Sequence, residues 1–157
     1  YRQRYAEFLR MDFPRIPFTA ERQVFGAMAA LGGRLVALHL LRSPELDPPA
    51  ARFEGEGDNQ VAKGKRARLR YDAAEGRVYI NATQCFAPVA QEVWDYRVGG
   101  YQVCQKWLKD RKERGLSLDE IRTYCHIVTA IGKTIEIQAE IGALYPEAER
   151  QAIQIGD

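Results

Sequence analysis

Two blocks of basic residues carry the strongest chemical signal in this sequence. Residues 61–70 contain five basic residues and no acidic one: Lys63, Lys65, Arg66, Arg68 and Arg70. The three arginines alternate with apolar residues, so a strand here would present them on one face. Neighbouring arginines repel one another, and guanidinium groups bind phosphate oxygens well. This face is therefore either an ordinary solvated surface or a phosphate-binding one.

The second block lies within residues 101–115, where five basic residues outnumber Asp110 and Glu113. Lys106 and Lys109 fall on the polar side of a predicted helix that also carries Trp107. Other side chains of the type that bonds bidentately to adenine or guanine are Asn81, Gln84, Gln91, Arg97 and Gln102. An ion pair with Asp95 or Glu92 is an equally good interpretation of Arg97, and a turn cap is an equally good one of Asn81. The residues alone leave nucleic-acid binding at even odds.

Catalytic motifs are missing from the sequence. It contains no GxSxG, HExxH, P-loop or GxGxxG pattern. His39 and His126 have no partner nearby in sequence, and Glu54, Glu56 and Asp58 lie in a Gly-rich stretch that is better interpreted as a solvated loop than as a nuclease site. The three cysteines are widely spaced, without CxxC, and are expected to be small core residues: Cys85, Cys104 and Cys125. We therefore expect no catalytic residue, disulfide or metal site.

Length and composition indicate one domain with a sizeable core. The chain has 157 residues, of which 46% are hydrophobic, and its formal net charge is +2. No run of eighteen apolar residues occurs, so no membrane segment is expected, and the sequence is typical of a cytoplasmic protein. Because the sequence begins with Tyr1, we expect it to be part of a longer polypeptide.

The order of predicted elements indicates an α+β fold. Residues 1–41 should form an extended segment around Pro14 and Pro17 followed by a helix over about 20–41, and residues 42–60 a mobile surface loop. Residues 61–98 should form a small antiparallel β-sheet, with a hairpin turning at 72–76 and a third extended piece at 93–98.

Residues 101–157 are predicted to be helical. In the helix from Tyr101 to about Lys112, the buried side should consist of Cys104, Trp107 and Leu108. Ser117 and Glu120 form a capping-box pattern at the start of a long helix. Pro146 is expected to open a short terminal helix.

Three segments of this sequence resemble one known family. They are YAEFLRMDFPRIPF (5–18), RVYIN (77–81) and VWDYRVGGYQVCQKWLKDRKERGLSLDEIRTY (93–124). On these segments the chain is similar to the C-terminal specificity (target-recognition) domain of type ISP restriction–modification enzymes and of related large fused adenine-specific DNA methyltransferases. The resemblance extends from Tyr5 to about Ile141.

The resemblance implies a non-catalytic domain that binds duplex DNA sequence-specifically. It would present the DNA to a methyltransferase module of the same polypeptide, which would hold S-adenosylmethionine, so this chain would need no cofactor. The DNA contacts would come from the two basic blocks and from the candidate base-reading side chains: Lys63, Lys65, Arg66, Arg68, Arg70, Asn81, Gln84, Arg97, Gln102, Lys106 and Lys109. The alternative is a scaffold domain that does not read DNA and docks the methyltransferase to other modules.

Overall fold

The computed structural model describes residues 6–7, 10, 17–62 and 69–153. Its helices are α1 (Arg22–His39), α2 (Gln91–Asp95), α3 (Val103–Lys109) and α4 (Leu118–Arg150). Its strands are β1 (Arg52–Glu54), β2 (Arg70–Asp72), β3 (Arg77–Tyr79), β4 (Cys85–Ala87), β5 (Arg97–Val98) and β6 (Tyr101–Gln102). The predicted α+β class is confirmed. No helix among the described residues has the length and apolarity to cross a membrane, and the extended segment predicted around Pro14 lies outside these residues, apart from Pro17.

Helix α1 confirms the helix predicted over about 20–41. Its buried side chains recur at helical spacing, at Val24, Leu31 and Leu38. Leu31 and Leu38 join Ala130 and Ile137 of α4 in an apolar cluster. The two helices therefore form one layer of the domain.

A four-stranded antiparallel sheet in the order β1-β4-β3-β2 forms the second layer. The predicted hairpin is confirmed as β2–β3, where the Asp72 carboxylate accepts the backbone N–H of Ala74 and stabilises the turn. Strand β4 is central, and its fully buried Phe86 contacts the ring of Tyr124 in α4 at a centroid distance of 4.3 Å. This contact joins the sheet to the long helix.

Two sequence predictions about this sheet were wrong. The segment 42–60 was predicted to be a mobile loop, but it contributes strand β1 and buries Leu46 and Ala51. The third strand was predicted at 93–98, yet the third strand along the described chain of the hairpin's sheet is β4, and 91–95 form helix α2. Both elements are shorter than six residues, so long-range pairing and packing decide them more than a local sequence period does.

Helix α4 begins as the sequence predicted. The Ser117 hydroxyl accepts the N–H of Glu120 and the Glu120 carboxylate accepts the N–H of Ser117, which completes the capping box. Pro146 does not open a separate helix, because α4 continues through it to Arg150. Ala148, beyond the proline, is buried, so tertiary packing supports this last part of the helix.

The three cysteines are buried free thiols, as the sequence predicted. Burial raises the pKa of the Cys104 thiol to about 11 and also raises the pKa values of Cys85 and Cys125. We therefore expect Ellman's reagent at pH 8 to react slowly with the folded chain and to titrate all three thiols after denaturation in guanidinium. A rapid, stoichiometric reaction of any thiol in the folded chain would contradict this expectation.

Candidate nucleic-acid interface

A small second hairpin, β5–β6, projects next to helix α3. In its register Arg97 pairs with Gln102 and Val98 pairs with Tyr101. The two turn residues, Gly99 and Gly100, have φ values of 57° and 86°, which is the left-handed backbone that this tight turn requires. The sequence pattern had predicted that a helix would begin at Tyr101. Tyr101 and Gln102 instead belong to β6, and α3 begins at Val103.

Helix α3 is attached to the domain by a buried side and by backbone bonds at its start. Cys104 and Leu108 are fully buried, and the N–H of Val103 donates to the carbonyl of Tyr96 at 3.1 Å. Trp107 was predicted to be buried but is half-buried, with its ring against Tyr124 on one side. The guanidinium carbon of Arg111 lies 3.5 Å from the centre of the Trp107 ring, so a cation covers part of the indole.

A groove of about 180 Å³ lies between the hairpin and α3. Four of the residues that the sequence proposed for DNA binding line it: Arg97, Gln102, Lys106 and Lys109. Gly100, Tyr101 and Gln105 complete the lining. Tyr101 and Gln105 were not predicted as site residues from sequence, although an exposed aromatic residue after Gly-Gly is a signal that was present. We call this surface the basic groove.

The cationic groups of the basic groove are exposed and held by local bonds. The Nζ of Lys106 donates to Asp110 at 2.6 Å, one helical turn along, and Lys109 donates to the side chain of Gln105. Arg97 donates to the carbonyl of Gly100 at 3.2 Å. Exposed pairs of this kind stabilise a protein little, so an incoming anion replaces them at small cost.

The amide of Gln102 has a structural role at the base of the hairpin. Its Nε2 donates to the carbonyl of Trp94, in α2, and lies 3.5 Å from an oxygen of Asp95. These bonds tie β6 to α2. Gln102 therefore positions the hairpin with its donor group, and the groove residue with the chemistry best suited to base reading is Arg97.

Two other cations of the second basic block stabilise the start of α4. Arg111 donates to the carboxylate of Glu120 at 3.1 Å, and Arg114 pairs with the same carboxylate. The N–H of Ser117, followed by these two arginines, holds the pKa of Glu120 below its usual range. Much of the charge counted in residues 111–115 therefore belongs to a local network beside the capping box.

The first basic block is described only in part. Arg70 lies on β2 with its guanidinium carbon 3.7 Å from the centre of the Tyr79 ring, and it pairs with Asp72 at 3.4 Å. Arg70 is exposed, as the alternating pattern predicted. The four remaining basic residues lie outside the described residues: Lys63, Lys65, Arg66 and Arg68.

Gln84, one of the predicted base readers, is buried inside the protein. Only 2% of its surface is exposed. Its Oε1 accepts from the N–H of Asn59 and from the side chain of Asn81, each at 2.9 Å, while its Nε2 donates to the side chain of Asn59 at 2.8 Å. Because the protein occupies both ends of the amide, Gln84 is not kept as a base reader.

Asn81 forms the strand-end cap that the sequence left open as its alternative role. Its Oδ1 accepts the N–H groups of Thr83 and Gln84 at 3.0 and 2.8 Å. Asn81 and Gln84 therefore stabilise the connection between β3 and β4. Neither of them lines the basic groove.

The histidines have structural partners. His39 bonds to the hydroxyl of Thr134 at 3.1 Å, and His126 lies 3.2 Å from the carboxylate of Asp47. Within the described ranges no group of three or more His, Cys, Asp or Glu side chains has the arrangement of a metal site.

Comparison with known proteins assigns this α+β domain to a class of specificity domains. The family described as "Type ISP C-terminal specificity domain" matches residues 1–140. The chain belongs to that family. A search of curated proteins found no match.

Two solved structures are similar to this chain over most of its length. A structure described as the DrdV–DNA complex superposes with a TM-score of 0.61 at 25% identity and covers 89% of this chain. A nuclease-deletion mutant of the Type ISP restriction–modification enzyme LlaGI, in complex with a DNA substrate mimic, superposes with a TM-score of 0.59 at 19% identity and also covers 89%. The chain spans only 16% of the DrdV chain and 12% of the LlaGI chain.

Proposed function

We propose that this chain is a DNA target-recognition domain that binds duplex DNA sequence-specifically. The observation that carries the proposal is the convergence of Arg97, Lys106 and Lys109 on one groove of a Type ISP specificity domain. Lysine and arginine side chains neutralise phosphates and set the register of a protein on the duplex. The two similar structures described as DNA complexes support the same function.

The lysines of the basic groove position the domain, and Arg97 reads a base. Lys106 and Lys109 project from one side of α3 as point charges suited to phosphate. Arg97, on the hairpin, carries the fork of donors that bonds bidentately to O6 and N7 of guanine. The four undescribed basic residues of the first block remain predicted phosphate contacts: Lys63, Lys65, Arg66 and Arg68.

Catalysis belongs, in this proposal, to a separate methyltransferase module of the same polypeptide. That module would hold S-adenosylmethionine and modify an adenine in DNA that the present domain positions. The missing catalytic motifs support this division of labour.

A salt titration of affinity tests the proposal. The triple variant Arg97→Gln, Lys106→Gln, Lys109→Gln should flatten the slope of log affinity against log salt by about 0.9 for each phosphate that the protein no longer neutralises, and so by up to about 2.7. The measurement is the affinity of the wild-type and variant chains for one duplex over a range of salt concentrations.

A matched variant controls for the change in net charge. The substitutions Arg22→Gln, Arg42→Gln and Arg150→Gln remove the same charge from positions that do not line the groove. Their effect on the slope should be small, because direct phosphate contacts set the slope. Equal slopes for the two triple variants would contradict a DNA-binding role of the groove.

Helix α1 supports a second role, docking to the methyltransferase module. Phe25, Val36 and Leu40 are each more than half exposed, and their spacing places them on one side of the helix with Ala29 and Gly33. In DrdV and LlaGI the region similar to this chain is a small part of a much longer chain, so such a domain has large neighbours there. The apolar face of α1 fits a helix of such a neighbouring module.

A charged substitution on α1 separates docking from DNA binding. In a polypeptide that carries both modules, Val36→Asp should lower the rate of DNA methylation. In the present chain it should leave the affinity for duplex DNA unchanged. Unchanged methylation would contradict the docking role and leave the DNA-binding role intact.

A further inference from the structure

The tip of the β5–β6 hairpin exposes two apolar side chains beside the basic groove. Val98 is 61% exposed and Tyr101 is 64% exposed. Because they oppose each other in the ladder, their side chains share one face of the hairpin. The next pair, Arg97 and Gln102, lies on the other face. The hairpin therefore presents an apolar pair at its tip and polar groups at its base.

The shape of the tip suits a narrow binding space. Gly99 and Gly100 carry no side chain, and no atom lies within 4 Å of the position that a Cβ would take at either residue. The tip therefore projects into open space as a slim two-stranded ribbon. The major groove of B-DNA is wide enough to admit such a ribbon.

The charges around the hairpin fit the walls of that groove. Lys106 and Lys109 lie on α3 beside the hairpin and line the same cavity as Tyr101. A duplex that receives the hairpin in its major groove would bring backbone phosphates to these lysines. The occupant that this combination fits is duplex DNA, with base edges at the apolar tip and phosphates at the cations.

We propose that the β5–β6 hairpin enters the major groove and that Val98 and Tyr101 contact thymine 5-methyl groups. The inference rests on the proposed DNA-binding function and deepens it by naming residues that determine specificity. The thymine methyl is the one apolar group that a standard base pair displays in the major groove, and apolar side chains recognise it by contact. Val98 and Tyr101 thereby favour A·T pairs at the positions they face.

Replacing thymine by uracil tests this contact, since it removes only the methyl group. A preferred duplex is first selected with the wild-type chain from a pool with a randomised core, and each thymine is then replaced singly. At one or two positions we expect binding to weaken about fourfold, the effect of exposing one buried methyl group. Val98→Ala and Tyr101→Ala should each bind the thymine and uracil duplexes at such a position equally well.

The control variant is Leu118→Ala, which removes an apolar side chain that is 82% exposed and does not line the groove. It should keep the wild-type response to uracil. If the wild-type chain prefers certain duplexes but no uracil substitution weakens binding, the methyl contact is overturned while DNA recognition stands. A rise in 2-aminopurine fluorescence on binding would overturn it in favour of insertion between base pairs. If the wild-type chain binds no duplex, the proposed function and this inference both fail.

Discussion

We expect Phe86→Ala to lower the free energy of unfolding by about 3–5 kcal/mol, as large-to-small changes of buried aromatic residues do. Phe86 is fully buried on the central strand of the four-stranded sheet. Its ring lies 4.8 Å from Phe53 on β1 and 4.3 Å from Tyr124 on α4. The substitution therefore leaves a cavity where the sheet meets the long helix, and chemical denaturation followed by circular dichroism measures the decrease in stability.

Phe25→Ala is the matched control, because it removes the same side chain from a position on α1 that is 51% exposed. Its effect should stay within about 0.5 kcal/mol, as is usual for surface substitutions. Phe86→Leu provides a milder core variant and should cost less than Phe86→Ala. Equal stabilities of Phe86→Ala and Phe25→Ala would show that Phe86 does not join sheet and helix as described.

The second large effect is expected for Gln84→Ala, which should destabilise the fold by about 1–3 kcal/mol. Removing the amide leaves the N–H and the side chain of Asn59 and the side chain of Asn81 without their partner. Since these groups are partly buried, water replaces the three hydrogen bonds incompletely. The stability change is measured by thermal or chemical unfolding.

The same variant separates the structural role of Gln84 from the base-reading role that its residue type suggested. We expect the sequence preference of DNA binding to survive under conditions where the variant is folded. Gln91→Ala, at an exposed position, is the control and should change stability little. Wild-type stability together with an abolished sequence preference would restore Gln84 as a reader and contradict the buried network.

The elements that the sequence predicted well are those specified by neighbouring residues. The apolar period of α1, the Asp72 turn of the β2–β3 hairpin and the capping box of Ser117 and Glu120 each depend on residues within a few positions of one another. Lys106 and Lys109 were also correctly placed on the polar side of a helix. Local spacing was sufficient for these features.

Short elements were missed because their stability comes from distant parts of the chain. Strand β1 pairs with β4 across more than thirty residues, and its composition alone resembles a loop. Helix α2 packs Val93 and Trp94 into the core, although β-branched and aromatic residues favour strands in sequence analysis. Pro146 predicted a helix start, yet packing of Ala148 continues the helix through it.

The candidate site shows the same division most clearly. The sequence by itself determined which groups are available: Arg97, Gln102, Lys106 and Lys109 are cations or amides in a segment that the family's motif covers. Only the tertiary structure decided that these four line one groove, that Gln84 is buried, and that Val98 and Tyr101 are exposed at a hairpin tip. The physical reason is that residue type fixes chemistry, while burial and proximity arise from long-range packing of α2, α3 and the hairpin.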